Sequence, residues 1–147
     1  MIEFKEMGKM EETFFWRSPT GRDFIWATSR MREYAVETKR EIYTVDLDME
    51  FAQYALTNYG LEIERLRRIK PHMIANSPII YAAWDKENMH TLVDGCHRYV
   101  MAALLGHEKM NAYVFPQKDH EAFMIKNFPA YSDEFARQYL LGGKSGL

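Results

Sequence analysis

From Pro78 to Phe115 the chain reads as two short apolar runs, a helix opened by glycine and a third apolar run, and few folds accommodate that order. Pro78-Ile79-Ile80-Tyr81-Ala82-Ala83-Trp84 has the length and the β-branched and aromatic content of a buried strand. Asp85-Lys86-Glu87-Asn88 supplies turn chemistry, and His90-Thr91-Leu92-Val93 returns as its partner. The chain then passes through Asp94-Gly95-Cys96 into a helix from His97 to about Leu105, stopped at Gly106. Met110-Asn111-Ala112-Tyr113-Val114-Phe115 is another strand, ended by Pro116. A hairpin that feeds a helix and returns as a strand implies a sheet with a helix laid across it.

The flanking segments extend this pattern. Glu12-Thr13-Phe14-Phe15-Trp16-Arg17 and Asp23-Phe24-Ile25-Trp26-Ala27-Thr28 are β-prone runs around the turn Ser18-Pro19-Thr20-Gly21, so residues 1–40 read as a hairpin-rich extension. Its aromatics are expected to flank the sheet as core. Ile42-Tyr43-Thr44-Val45-Asp46-Leu47 alternates as a strand, and Asp48 is placed to cap a helix through Leu56 that closes at Asn58-Tyr59-Gly60. A further helix from about Leu61 carries Ile63, Leu66, Ile69 or Lys70, and Met73 at helical spacing, with Pro71 kinking or breaking it near Lys70. Two amphipathic helices are expected over 117–141, capped by Asp119 or Ser132, before a mobile tail at 142–147. The whole reads as one α+β (mixed α/β) domain with residues 41–116 as its core: a mixed sheet flanked by helices, with an N-terminal β-hairpin extension.

Composition narrows the function. At 147 residues the chain is long enough for one real core. A net charge of −2 lacks the basic excess that gripping a nucleic-acid backbone requires, so DNA is the less favoured partner. No apolar run approaches the roughly 20 residues of a membrane span, and Met1-Ile2-Glu3-Phe4-Lys5 lacks a signal-peptide core. A single cysteine excludes an intramolecular disulfide, which fits a cytoplasmic protein. The five histidines show no metal-ligand spacing, and the ten methionines read as core filler.

The chemistry concentrates at Val93-Asp94-Gly95-Cys96-His97-Arg98-Tyr99. A strand that turns directly into a helix leaves backbone N–H groups without intrahelical acceptors, where the helix dipole favours negative charge. Gly95 allows close approach to the backbone. His97 and Arg98 add side-chain donors, and the arginine fork fits a phosphate. The plainer reading makes Asp94 a helix cap and Arg98 a surface charge. Arg65, Arg68, Lys70 and His72 form the densest basic patch, but Glu62 and Glu64 interleave with it as on a salt-bridged solvent face.

Val93-Asp94-Gly95-Cys96-His97-Arg98-Tyr99, followed by Ala102-Ala103-Leu104-Leu105-Gly106, resembles the signature of the ParB/sulfiredoxin superfamily: a strand, Asp/Gly-Gly-any-His-Arg, and an alanine-rich helix ending at Leu-Gly. The likeness covers residues 42 to 115 and includes the upstream Ser77-Pro78-Ile79-Ile80. It implies a turn that binds nucleotide phosphates through Gly95, Cys96, His97 and Arg98. The expected cofactor is ATP or CTP with Mg²⁺, and the expected reaction is phosphoryl transfer or nucleotide hydrolysis. Gly95-Cys96-His97-Arg98 is similar to the core of sulfiredoxins, which implies a reactive Cys96 of lowered pKa and a cysteine-repair activity. Asp94, where sulfiredoxins carry a second glycine, is similar instead to the free serine kinases of the superfamily and points to phosphoryl transfer. In such kinases an acidic residue near the opening strand acts as base or metal helper, a role for which Asp46, Asp48 and Glu50 are placed and Glu50 is chosen. Catalytic candidates are therefore Asp94, Cys96 and Glu50. The alternative is a non-catalytic ParB-like regulator of plasmid or phage type, meeting a protein partner or DNA through an exposed surface of Phe14, Phe15, Trp16, Phe24 and Trp26.

Overall fold

The computed structural model describes residues 1–8, 11–86 and 88–126. In chain order its elements are β1 (Ile2–Glu3), β2 (Phe14–Arg17), β3 (Asp23–Trp26), α1 (Thr28–Glu37), β4 (Tyr43–Asp46), α2 (Met49–Asn58), α3 (Ile63–Arg67), α4 (Pro71–Asn76), β5 (Ile79–Trp84), β6 (Met89–Asp94), α5 (Cys96–Leu104), β7 (Lys109–Phe115), α6 (Gln117–Glu121) and β8 (Ile125–Lys126). Four strands form a mixed sheet in the order β4–β7–β5–β6. β5 and β6 are an antiparallel hairpin, β7 lies parallel to β5, and β4 closes the far edge antiparallel to β7. The fold is thus α+β, a mixed sheet flanked by helices, with strands at its N-terminus.

Both faces of the sheet are covered. Along β5, Ile79 packs with the helices α2–α5 through Ala52, Leu66, Ile74, Cys96, Val100 and Ala103. The neighbouring Ile80 and Ala82 pack on the opposite face with Phe14, Trp26, Met31, Ala35 and Phe115. The strand alternation therefore feeds two cores.

The N-terminal hairpin forms as β2–β3, with Phe14 opposite Trp26 and Trp16 opposite Phe24. Its aromatics are sheet-flanking core: Phe14 and Trp26 are buried, and Phe15, Trp16 and Phe24 are half-buried. Trp16 stacks on Phe24 at 5.8 Å, and Phe24 meets Trp84 of β5 at 5.1 Å. The exposed aromatic patch expected of an interaction module is not present in this hairpin.

Three elements depart from the sequence reading: α1, α6 and β8, whose Ile125–Lys126 pair in parallel with β1 where a helix was expected. Residues 28–37 form a helix, not a continuation of the extended lead-in. Its buried stripe consists only of Thr28, Met31 and Ala35, and no side chain caps its start. Such a stripe gives little periodic signal. Helix α6 begins from Pro116 and ends at Glu121, and Asp119 lies in its first turn as the partner of Arg40 at 2.7 Å, without capping. Ser132, the second C-terminal helix and the tail at 142–147 lie outside the described residues. The break near Lys70 is present: α3 stops at Arg67 and α4 restarts with Pro71 in its first turn, where a missing N–H costs nothing. Among the described residues no helix is long and apolar enough to cross a membrane.

Candidate anion site at the start of α5

The geometry of the turn begins one residue before it. Tyr81 pairs with Leu92 but Ile80 pairs with Asp94, so Val93 is an extra residue in β6. Such a bulge re-aims the side chains beyond it. Val93 packs on the α1 face of the sheet, and Asp94, opposite Ile80, meets α1 as well. There Arg32 donates to Asp94 Oδ2 from Nη2 at 2.7 Å and from Nε at 3.0 Å, and to the Pro78 carbonyl at 2.6 Å. Asp94 is thus held by an arginine and does not cap the helix, contrary to the plainer sequence reading. Its Oδ1 takes no hydrogen bond from a described residue.

Gly95 is the N-cap of α5, with φ +98° and no side-chain cap bond. Only glycine tolerates this backbone readily, and here space is short as well: an added Cβ would lie 2.5 Å from Ile79 Cγ2. The first intrahelical bond runs from Tyr99 N–H to the Gly95 carbonyl. The N–H groups of Cys96, His97 and Arg98 therefore have no acceptor among the described residues, at the positive end of the helix dipole. At the other end, Gly106 at φ +86° closes α5, with His107 N–H on the Ala102 carbonyl and Gly106 N–H on the Ala103 carbonyl.

Arg98 lies folded against this start. Its Nη2 donates to the Pro78 carbonyl at 3.4 Å, the same oxygen that Arg32 uses. Its Nε is buried and has no hydrogen-bond partner among the described residues. Burial lowers the pKa of the guanidinium, Arg32 and Arg65 lower it further, and Asp94 and Glu12 oppose them. Two arginines and two carboxylates thus bear on the Arg98 guanidinium, whose Nε is unspent among the described residues.

His97 is buried and neutral. Its Nε2 accepts from Glu62 N–H at 3.2 Å, which places the ring proton on Nδ1. Burial, with the charges of Arg65 and Arg98, pushes its pKa down to about 4. It therefore ties α5 to the segment before α3 and adds no cation.

Cys96 faces the core with α2, not the turn, and burial pushes its thiol up to about 12. The sequence expectation was a lowered pKa. Desolvation outweighs the helix dipole and Arg98, so the thiol stays protonated at neutral pH. Glu50 is exposed in the first turn of α2, where its N–H donates to Asp48 Oδ1 at 2.9 Å. No hydrogen bond or ion pair among the described residues joins it to residues 94–98. Asp48 caps α2 as expected, and Asp46 pairs with Lys109 at 2.9 Å. No group of three or more potential metal ligands exists among the described residues.

The structure brings Asp94, Gly95 and Arg98 together around one helix start and sends Cys96 and His97 inward. Arg32, 62 residues upstream of Asp94, belongs to the site and was missed because its helix was. Arg65 reaches this cluster by charge from the patch read as solvent face.

Comparison with known proteins adds no relative: no family model matches the chain, and neither a curated protein nor a solved structure is similar to it.

Proposed function

We propose that the start of α5 binds the phosphates of a nucleoside triphosphate, ATP or CTP, accompanied by Mg²⁺. The observation that carries this reading is the buried Arg98 Nε, which has no partner among the described residues, beside three backbone N–H groups with no acceptor among them. A buried donor left unmade costs about 1–3 kcal/mol, more when charged, and a phosphate oxygen would satisfy it. The donor set fits the group. Arg98 and the N–H groups of Cys96, His97 and Arg98 would hold the phosphates, and Arg32 would shield them from the Asp94 carboxylate. Mg²⁺ binds chiefly through phosphate oxygens with one or two carboxylates, and Asp94 Oδ1 is the oxygen of the turn that Arg32 leaves open. The chemistry that Mg²⁺ supplies is charge neutralisation at a transferring phosphoryl group, so the reaction class is phosphoryl transfer or nucleotide hydrolysis.

A second reading is a nucleotide-binding module without chemistry, of the ParB-like regulatory kind. It is favoured by the capture of Asp94 by Arg32 and by the exposure of Glu50 away from any partner at the turn. The repair-enzyme reading draws no support from a buried, protonated Cys96.

Thermal shifts with ATP, ADP, CTP, GTP and inorganic phosphate, each with and without Mg²⁺, test the assignment on wild type and Arg98→Ala. A ligand at roughly 100 times its dissociation constant stabilises a fold by about 2.7 kcal/mol. The expected result is stabilisation by one triphosphate that disappears in Arg98→Ala while the variant stays folded. Stabilisation that survives in Arg98→Ala, or none with any ligand, would overturn it. Phosphate release by the stabilising nucleotide then separates the two readings.

A further inference from the structure

On the α2–α5 face of the sheet, beyond the first turn of α5, lies a cavity of about 410 Å³ walled by β4, β7, β5, β6, α2 and Tyr99. Pockets for small molecules begin at about 300 Å³. The charged side chains lining this one are Asp46 and Asp48, with no lysine or arginine among the lining residues. Asp48 Oδ1 accepts from Glu50 N–H and Phe51 N–H, while its Oδ2 takes no hydrogen bond from a described residue. Asp46 is engaged by Lys109, but both side chains are more than 60 % exposed, and such pairs contribute about 0–1 kcal/mol.

The rest of the wall is aromatic. Phe51 meets Tyr99 at 5.2 Å with the rings 83° apart, and Tyr81 meets His90 at 5.8 Å and 80°. Rings set at right angles give a corner rather than a flat platform. The Tyr99 hydroxyl is already committed: its Oη accepts from Asp48 N–H at 2.7 Å. What the cavity still offers is π-electron density and carboxylate oxygen above an aliphatic floor, the complement of a cation with an apolar body.

We propose that this cavity is a binding site for an organic ammonium ion, with the nitrogen between Asp48 and the rings of Phe51, Tyr81 and Tyr99. The site is independent of the phosphate-binding reading and opposite to it in sign. An amine and an anion would occupy different sides of the same helix start region, since Tyr99 lines this cavity and Arg98 does not.

The test is a ¹⁵N NMR titration of the full chain with three probes of one shape: phenethylammonium, 2-phenylethanol and 3-phenylpropionate. Binding of the ammonium ion is expected to move the amides of Asp48, Phe51, Leu92 and Tyr99, with an affinity at least about tenfold above that of the alcohol, a gap of about 1.4 kcal/mol. The propionate should not bind there. Asp48→Asn retains the helix cap, because asparagine caps as well as aspartate, and should weaken the ammonium ion about tenfold with the fold intact. Equal affinity for alcohol and ammonium ion would overturn the proposal. So would unchanged ammonium affinity in Asp48→Asn, or the absence of saturable shifts at these amides with ammonium ion up to about 10 mM, a concentration at which even a millimolar site fills.

Discussion

A methyl group at position 95 would meet Ile79 Cγ2 at 2.5 Å and Arg98 Nη2 at 2.9 Å, on a backbone at φ +98°. The left-handed conformation costs an ordinary residue about 1–2 kcal/mol and overpacking about 1–3 kcal/mol. Gly95→Ala should therefore lose about 3 kcal/mol of stability, read as a lower urea midpoint at unchanged slope. It should also displace Arg98, so that anion binding falls further than stability alone requires. One residue along, Cys96 shows how position in sequence misleads about reactivity. The helix start and the neighbouring arginine argue for a thiolate, but the side chain turns into the core beside Val100 and Ala103. With the thiol held up to about 12, iodoacetamide should alkylate folded protein at least about tenfold more slowly than a free thiol at pH 7.5, and the difference should vanish in urea. Alkylation faster than free thiol would restore the repair-enzyme reading.

At the scale of elements, two histidines act as ties. His97 joins α5 to the backbone of Glu62, and His120 joins α6 to β3 and β5, accepting from Trp26 Nε1 at 3.2 Å through Nδ1 and facing the Ala83 carbonyl at 2.9 Å through Nε2. Burial lowers both pKa values, that of His97 to about 4. The unfolded chain takes up these protons near pH 6.5, whereas the folded chain resists them. Their contribution is therefore complete above about pH 7 and shrinks as pH falls through 6.5; that of His97, on the order of 2 kcal/mol, is lost by about pH 4. Urea midpoints measured between pH 7.5 and 4.5 should fall accordingly, and the slope should be shallower in His97→Gln. Elements whose signal is local were legible in the sequence. The hairpin β5–β6 announces itself by apolar runs around a turn, α5 by its two glycines, and the α3–α4 break by Pro71. Helix α1 was not legible, because its buried stripe is only Thr28, Met31 and Ala35 while the apolar Val36 lies exposed, so apolar residues do not mark one face.

At the scale of the molecule, the sheet separates two cores, and the two candidate sites are of opposite electrostatic character. The net charge of −2 conceals this, since it averages the arginine cluster at α5 with the carboxylates at the β4–α2 corner. The mixed sheet with helices was legible from the order of elements between Pro78 and Phe115. The assembly of the anion site was only half legible. Asp94, Gly95 and Arg98 are adjacent in sequence, but Arg32 arrives from a helix 62 residues away and the bulge at Val93 decides which face Asp94 takes. Neither has a local signature. The most direct measurement is an NMR titration of the full chain with ATP and CTP in the presence of Mg²⁺, observing backbone amides and the arginine Nε–H resonances. Large shifts confined to the amides of Cys96, His97 and Arg98, together with the Arg98 Nε–H, are the predicted result. Shifts centred elsewhere, or an unmoved Arg98 Nε–H, would contradict the account.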